Sequence, residues 1–136
     1  MARITGGEVW RPVKDAKNGR ELATLGEPLL WGVEGPEGPT WIIVPEGFVT
    51  DFASVPRLFW SIFPPLGPWA LAAILHDWLY QTCGEFGKYT RKQADEIFRE
   101  AMEEIAKHRE DGEPKAWKRA LLYRAVRLGG GKGWGS

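Results

Sequence analysis

The chain has 136 residues, with 18 basic and 18 acidic side chains, a formal net charge of zero and one cysteine. This length suits one domain with a real core, and the charge balance argues against a nucleic-acid-binding protein. A lone cysteine excludes an intramolecular disulfide framework and a cysteine-based zinc site. Because only two histidines are present, we expect any bound metal to be held by oxygen atoms, as calcium or magnesium is.

Membrane and export signals are not evident in the sequence. No run of about 18 apolar residues occurs, so no transmembrane helix is predicted. Residues 1–7 lack the apolar centre of a signal peptide. We therefore expect the protein to be made and folded in a reducing cytoplasm.

The first 50 residues have the pattern of β-structure. Residues 8–13 alternate weakly between apolar and polar, and a turn signal follows at 17–20. Residues 28–33 and 40–44 are predicted as two strands, and the Pro- and Gly-rich stretch 34–39 has the composition of a hairpin connection. Together these segments predict an antiparallel β-layer.

The segment 50–56 reads Thr-Asp-Phe-Ala-Ser-Val-Pro. Ser54 has the position of an N-cap for a short helix with Pro56 in its first turn. Asp51 has two interpretations: it caps an adjoining turn, or it serves as a metal ligand beside the buried helix that follows.

The most apolar stretch of the chain, 70–80, predicts a helix buried at the centre of the domain. Its only ionisable pair is His76 and Asp77, which carry a desolvation cost unless other groups pair with them. At about 100° per residue, both lie with Tyr80 on the side that carries three small alanines. That side indicates a functional site, approachable by a water or a metal. The alternative is a core histidine and aspartate satisfied by hydrogen bonds to nearby loops.

Two more helices are predicted after a loop at 85–89. Thr90 and Gln93 have the spacing of a capping box, and the apolar residues that follow recur at the helical period. Asp95 lies at the edge of that apolar arc. Its simplest interpretation is an acidic residue in the first turn of the helix, where the helix dipole favours negative charge. A third helix is predicted from about 114 to 128. Its basic side is either plainly solvated or prefers an anionic surface.

No internal repeat and no linker divides the chain. The elements predict one α+β domain over residues 1–128, in which an N-terminal antiparallel β-layer packs on a C-terminal three-helix unit. Residues 129–136 are predicted to form a flexible Gly-rich tail. The eight tryptophans are assigned mainly to packing.

Two antiparallel helices joined by a short loop can bring His76 to face Asp95. A carboxylate that accepts a hydrogen bond from one imidazole nitrogen orients the ring and leaves the other nitrogen to act as a general base. Asp77 can bind a cation that polarises a carbonyl oxygen. This set suits hydrolysis by activated water, because no serine nucleophile is evident and Cys83 lies two helical turns beyond the histidine.

Three motifs resemble a phage and prophage family of unknown function. They are the segment 50–56, the sequence His-Asp-Trp-Leu-Tyr at 76–80 and the sequence Ala-Asp-Glu-Ile-Phe at 94–98. The resemblance extends over most of residues 40–128 and implies no activity. Members are typically small accessory or virion-associated products, so it implies synthesis in a bacterial host, incorporation in the phage particle and contacts with other virion proteins.

Residues 63–105 more distantly resemble phospholipase A2 enzymes, including the disulfide-free domains of parvovirus capsids. The shared pattern is His76-Asp77-x-x-Tyr80, a loop, and then Asp95 three residues before a phenylalanine. The resemblance implies that the histidine is the general base and that Asp77 binds calcium. It also implies that Asp95 orients the histidine, that Tyr80 supports Asp95, and that a phospholipid or membrane surface is the partner.

The chain departs from the phospholipase pattern in two respects. It has no disulfides, and Gly67 lies nine residues before His76, too close for a calcium loop of the usual shape. Asp51 with neighbouring carbonyls is the expected substitute. The leading hypothesis is therefore a calcium-dependent, phospholipase A2-like ester hydrolase. The alternative is a non-enzymatic phage virion or assembly protein with a buried His-Asp-Tyr hydrogen-bond network.

Overall fold

The chain divides into two compact units, residues 1–52 and 53–136. The first unit contains antiparallel strands and the second contains helices, which confirms the predicted α+β class. Asp51 and Ser54 lie outside the described residues, so their predicted capping and metal-binding roles stay predictions. The computed structural model describes residues 3–7, 9–14, 21–50 and 69–134, without the side chains of 9–14, 21–23 and 132–133.

Among the described residues, the strands form two three-stranded antiparallel sheets, in the orders β1-β4-β5 and β2-β3-β6. The predicted strands at 8–13, 28–33 and 40–44 correspond to β2, β4 and β5. The sequence did not predict β1, which is too short to show alternation, or β3, whose residues have modest strand preferences. The strands are β1 (Ile4–Gly6), β2 (Val9–Lys14), β3 (Glu21–Leu25), β4 (Leu29–Gly32), β5 (Trp41–Val44) and β6 (Val49–Thr50).

The β4–β5 hairpin supplies much of the apolar core of the first unit. Its register pairs Leu29 with Val44 and Trp31 with Ile42. Side chains two residues apart in a strand point to the same face, so these four share one face, and all four are fully buried. The guanidinium of Arg3 donates hydrogen bonds of 2.8 Å to carbonyl oxygens at the end of β4.

Over residues 69–134, the second unit contains three right-handed helices, a short left-handed turn and a closing 3₁₀ helix. The predicted capping box is confirmed: the Thr90 hydroxyl accepts from the Gln93 amide at 3.1 Å, and the Gln93 side chain accepts from the Thr90 amide at 2.8 Å. No helix in the described part of the chain is long and apolar enough to cross a membrane. The elements are α1 (Ala70–Gln81), the left-handed α2 (Cys83–Gly87), α3 (Arg91–Lys107), α4 (Ala116–Gly129) and the 3₁₀ helix (Gly130–Gly133).

Helix α3 lies between α1 and α4 and contacts both. Its apolar residues recur at the helical period and are buried, and Ala94 and Ala101 permit a close approach of the neighbouring helices. Helix α1 is buried around most of its circumference, as its composition predicts. The Gly-rich sequence predicted as a tail includes the 3₁₀ helix, and the ring of Trp134 packs edge-on against Tyr80 with centroids 5.1 Å apart.

The turn α2 reverses the hand of the backbone directly after α1. Cys83, Gly84, Glu85 and Phe86 have φ angles of 50°, 70°, 56° and 64°. A left-handed conformation costs about 1–2 kcal/mol for each residue with a Cβ, so local hydrogen bonds must offset it. The Thr82 hydroxyl accepts from the Glu85 amide at 2.9 Å, and the Trp78 indole donates to the Glu85 carboxylate at 3.2 Å.

We predict that Gly84→Ala destabilises the protein much more than Gly87→Ala. Both glycines have positive φ, but a Cβ at Gly84 would lie 1.8 Å from the Tyr89 carbonyl oxygen, whereas nothing lies within 4 Å of one at Gly87. Gly87→Ala should therefore cost about 1–2 kcal/mol through its backbone conformation alone. Urea unfolding followed by circular dichroism measures both, and equal losses would contradict the predicted close packing.

Candidate functional site

Helices α1 and α3 bring His76 and Asp95 together. The Nε2 atom of His76 lies 2.7 Å from Oδ1 of Asp95, and both side chains are fully buried. An ionised carboxylate can only accept hydrogen bonds, so the proton of the pair belongs on Nε2. The capping box fixes where α3 begins, and Asp95 lies just after the first turn, not within it as the sequence predicts. Asp95 lies on the side of α3 that faces α1, and its hydrogen bonds rather than the helix dipole account for its position.

Tyr80 joins this pair from one helical turn further along α1. Its hydroxyl donates to Oδ1 of Asp95 at 2.6 Å. Residues four apart in a helix are neighbours, and the rings of Tyr80 and His76 have centroids 4.3 Å apart. Phe98 covers the imidazole at 4.6 Å. The histidine ring is therefore held by packing on its faces and by a carboxylate at its edge.

Arg127 of α4 is a fourth member that the sequence did not predict. Its Nη1 atom donates to Oδ2 of Asp95 at 2.7 Å. Arg91 donates to the Arg127 carbonyl oxygen at 2.8 Å, which ties the start of α3 to the end of α4. The sequence places Arg127 on the basic side of α4, for which it predicts either simple solvation or a preference for an anionic surface. Arg127 directly follows the buried Val126, and this position was the sequence feature that could have marked it as part of the site. The position alone does not identify Asp95 as the partner of Arg127.

Burial and hydrogen bonds in this cluster shift the pKa values of Asp95, Tyr80 and Arg127. Burial alone would raise the pKa of Asp95, but hydrogen bonds from His76, Tyr80 and Arg127 outweigh it and lower that pKa below its ordinary value. Burial and the hydrogen bond to Asp95 raise the pKa of Tyr80 well above its usual range. The same carboxylate raises the pKa of Arg127. Near neutral pH, Asp95 is thus ionised, Tyr80 protonated and Arg127 charged.

Asp77 is nearly fully buried beside His76 on α1, and Gln81 donates to its Oδ2 atom at 3.1 Å. Calcium takes six to eight oxygen ligands. Within residues 3–7, 9–14, 21–50 and 69–134, no three His, Cys, Asp or Glu side chains cluster in a way that could hold a metal. Asp51 lies outside the described residues, so the calcium site expected at Asp77 and Asp51 stays a prediction.

Fold and site together define an α+β protein with a buried His-Asp-Tyr cluster between helices, to which the half-buried Arg127 is joined. A family model described as "Protein of unknown function (DUF1353)" matches residues 29–126, and the chain belongs to this family. The expected membership of a family of unknown function is thereby confirmed. The matched region contains His76, Tyr80 and Asp95 and ends one residue before Arg127. No curated protein and no solved structure matches the chain.

We predict that Asp95→Asn lowers the free energy of unfolding at pH 7 by about 3–5 kcal/mol, because a buried ionic cluster loses one partner. Because the pKa of Asp95 is lowered in the folded protein, its ionised carboxylate stabilises the native state at pH values above about 3.9, the pKa of an aspartate in the unfolded chain. That contribution is lost as the pH falls through the folded value. Urea unfolding between neutral pH and about pH 3 should show the difference between wild type and variant shrinking below about pH 4.

The matched control for Asp95→Asn is Asp111→Asn. Asp111 also pairs with an arginine, at 2.7 Å from Arg109, but both side chains are substantially exposed. Solvent screens such a pair, so its loss should have a much smaller effect on stability. Equal effects of the two substitutions at neutral pH would contradict the importance given to burial.

We predict that Arg127→Gln costs about 2 kcal/mol of stability, the range of a hydrogen bond to a charged group, whereas Arg124→Gln on the same helix stays within about 0.5 kcal/mol. Removal of the cation should also raise the pKa of Asp95, since Arg127 is one of the groups that lower it. The midpoint of acid unfolding should therefore move to higher pH only in Arg127→Gln. Acid titrations followed by circular dichroism measure this shift, and identical midpoints would refute it.

Proposed function

We propose that the protein is a phage-encoded, phospholipase A2-like hydrolase that cleaves a phospholipid ester with water activated by His76. The observation that best supports this proposal is the 2.7 Å contact between Nε2 of His76 and a buried carboxylate of Asp95. A histidine fixed in this way has a defined tautomer and orientation, as a general base requires. Tyr80 contacts the same carboxylate at 2.6 Å.

In the proposed reaction, Asp95 keeps the proton on Nε2, so proton transfer uses Nδ1, the ring nitrogen that Asp95 does not contact. Nδ1 takes a proton from water as the water oxygen attacks the ester carbonyl carbon. The imidazolium formed is stabilised by the Asp95 carboxylate. When the tetrahedral intermediate collapses, the C–O bond breaks and the proton passes to the leaving alkoxide. The products are a fatty acid and a lysophospholipid.

Arg127 and Tyr80 act through Asp95 in this proposal. Arg127 contacts Oδ2 at 2.7 Å, while Oδ1 receives His76 and Tyr80. The carboxylate is thus held at both oxygens and cannot rotate without breaking a hydrogen bond. We assign Arg127 and Tyr80 as positioning residues and His76 as the base. General-base catalysis of this kind typically contributes about 10²–10⁴-fold to a rate.

Complete burial of His76 and Asp95 favours a second candidate function. A non-enzymatic phage virion or assembly protein would use the same network to fix the packing of α1, α3 and α4. Buried polar networks that are fully hydrogen-bonded rigidify a core and specify one arrangement of it. Under either function, we propose synthesis in the cytoplasm of the bacterial host and incorporation in the phage particle.

The test measures fatty-acid release from mixed phospholipid vesicles, with and without calcium. We expect release by the wild type and a loss of about 10²–10⁴-fold in His76→Gln, the range of general-base catalysis. His108→Gln is the matched control, because that histidine is 65% exposed on the far end of α3. Asp77→Asn measures any calcium dependence: a calcium-stimulated rate should fall in this variant if Asp77 contributes to a calcium site.

Stability measurements separate the two functions. Release by the wild type, with His76→Gln folded and inactive, supports the hydrolase. No release by well-folded wild type, together with severe destabilisation of His76→Gln, would reject hydrolysis and support the structural role. Unpairing a buried hydrogen-bonding partner costs about 1–3 kcal/mol, so thermal unfolding resolves the difference. Equal release by wild type and His76→Gln would remove this histidine from the proposed mechanism.

A further inference from the structure

Helix α4 carries a second row of largely apolar residues beside those that it buries. Trp117, Leu121, Arg124 and Leu128 follow one another at spacings of four, three and four residues, which places them along one side of a helix. We call these four residues the outer stripe. Trp117 is 60% exposed and Leu128 is 90% exposed. Large apolar side chains aligned in solvent mark an interaction surface more often than isolated ones do.

The core-facing side of α4 is separate from the outer stripe. Leu122, Ala125 and Val126 are its buried residues. The stripe itself borders a surface groove of about 320 Å³ lined by Trp117, Ala120, Leu121 and Arg124. Among residues 69–134, the packing of α4 therefore does not bury Trp117 or Leu128.

The charged residues of the helix that carries the outer stripe are all basic. Helix α4 contains four basic residues and no acidic residue. Two of these have acidic partners, Lys118 with Glu113 and Arg127 with Asp95. Arg124 is exposed and lies within the stripe. From α3, the exposed Arg99 lies over the Tyr123 ring at 5.0 Å and adds positive charge beside α4. The outer stripe therefore combines exposed apolar side chains with an exposed arginine.

We propose that the outer stripe docks the protein on an anionic phospholipid membrane. Trp117 and Leu128 would enter the boundary between headgroups and acyl chains, and Arg124 would contact lipid phosphates. Helices that lie in a membrane interface have this combination of Trp or Leu with basic residues. A second copy of the chain fits less well, because antiparallel pairing of two stripes would bring the arginines of both copies together. This surface is distinct from the His76 cluster, and its binding does not require hydrolysis.

The experiment measures co-sedimentation of the full chain with vesicles of ether-linked lipids, which contain no ester to hydrolyse. Binding to phosphatidylcholine mixed with phosphatidylglycerol should exceed binding to phosphatidylcholine alone, and should weaken at high salt. Leu128→Ser should weaken binding by about tenfold, the effect of losing one buried leucine. Arg124→Glu should weaken it by about fivefold or more, since one basic residue near an anionic surface contributes about that factor.

Two control variants match these substitutions in chemistry but lie outside α4. Ile43→Ser removes an apolar side chain that is 53% exposed on β5, and Lys88→Glu reverses an exposed charge in the segment after α2. Both should bind like the wild type. Equal binding to neutral and anionic vesicles, or equal losses in test and control variants, would overturn the proposal. Light scattering that shows a dimer disrupted by Leu128→Ser, without vesicle binding, would assign the stripe to self-association instead.

Because these vesicles cannot be hydrolysed, the result is independent of the proposed enzymatic activity. Binding without fatty-acid release from ester lipids would leave the membrane surface standing and reject the hydrolase. Fatty-acid release from ester lipids without stripe-dependent binding would support the hydrolase and reject the membrane surface.

Discussion

The second unit depends on one buried negative charge. Burying an isolated carboxylate in a protein interior is very unfavourable, yet Asp95 is fully buried and has a pKa below its ordinary value. Three donors from two other helices make this possible: His76 and Tyr80 of α1, and Arg127 of α4. The carboxylate therefore joins three helices at one point, and each helix must be correctly placed for its charge to be tolerated.

Other features of the unit fit around that point. Gly130 approaches Tyr80 so closely that a Cβ would lie 2.6 Å from the phenol oxygen, so the chain can pass the cluster only where a side chain is missing. Arg91 holds the end of α4 through the Arg127 carbonyl oxygen. The left-handed turn α2 shortens the path from α1 to α3, and Gly84 is required there by the Tyr89 carbonyl.

Local sequence patterns predicted the parts of the site that local geometry determines. The four-residue spacing of His76 and Tyr80 places them on one side of a helix, and the Thr90 capping box sets the register of Asp95. Arg127 was missed because its partner is 32 residues away and an arginine on a basic helix side gives no sign of pairing. The sequence predicts only a loop at 85–89, because the left-handed conformation depends on side-chain hydrogen bonds of Glu85 and on the close approach of Gly84 to Tyr89, which leave no periodic pattern.

The kinds of residue in the hydrogen-bond network around Asp95 are relevant to its function. Stability alone requires only that buried polar groups be satisfied, and well-packed apolar residues often serve as well or better than a buried ion pair. A core of this size therefore has no energetic need for an aspartate, an arginine and a histidine in one place. The proposed general base would use each of them: hydrogen bonds from His76, Tyr80 and Arg127 keep the carboxylate ionised, the carboxylate fixes the tautomer of His76, and Tyr80 with Phe98 holds the ring. A structural role explains the hydrogen bonds and the complete burial of His76 and Asp95, and the chemistry proposed for His76 would also make use of the fixed tautomer and orientation of its ring.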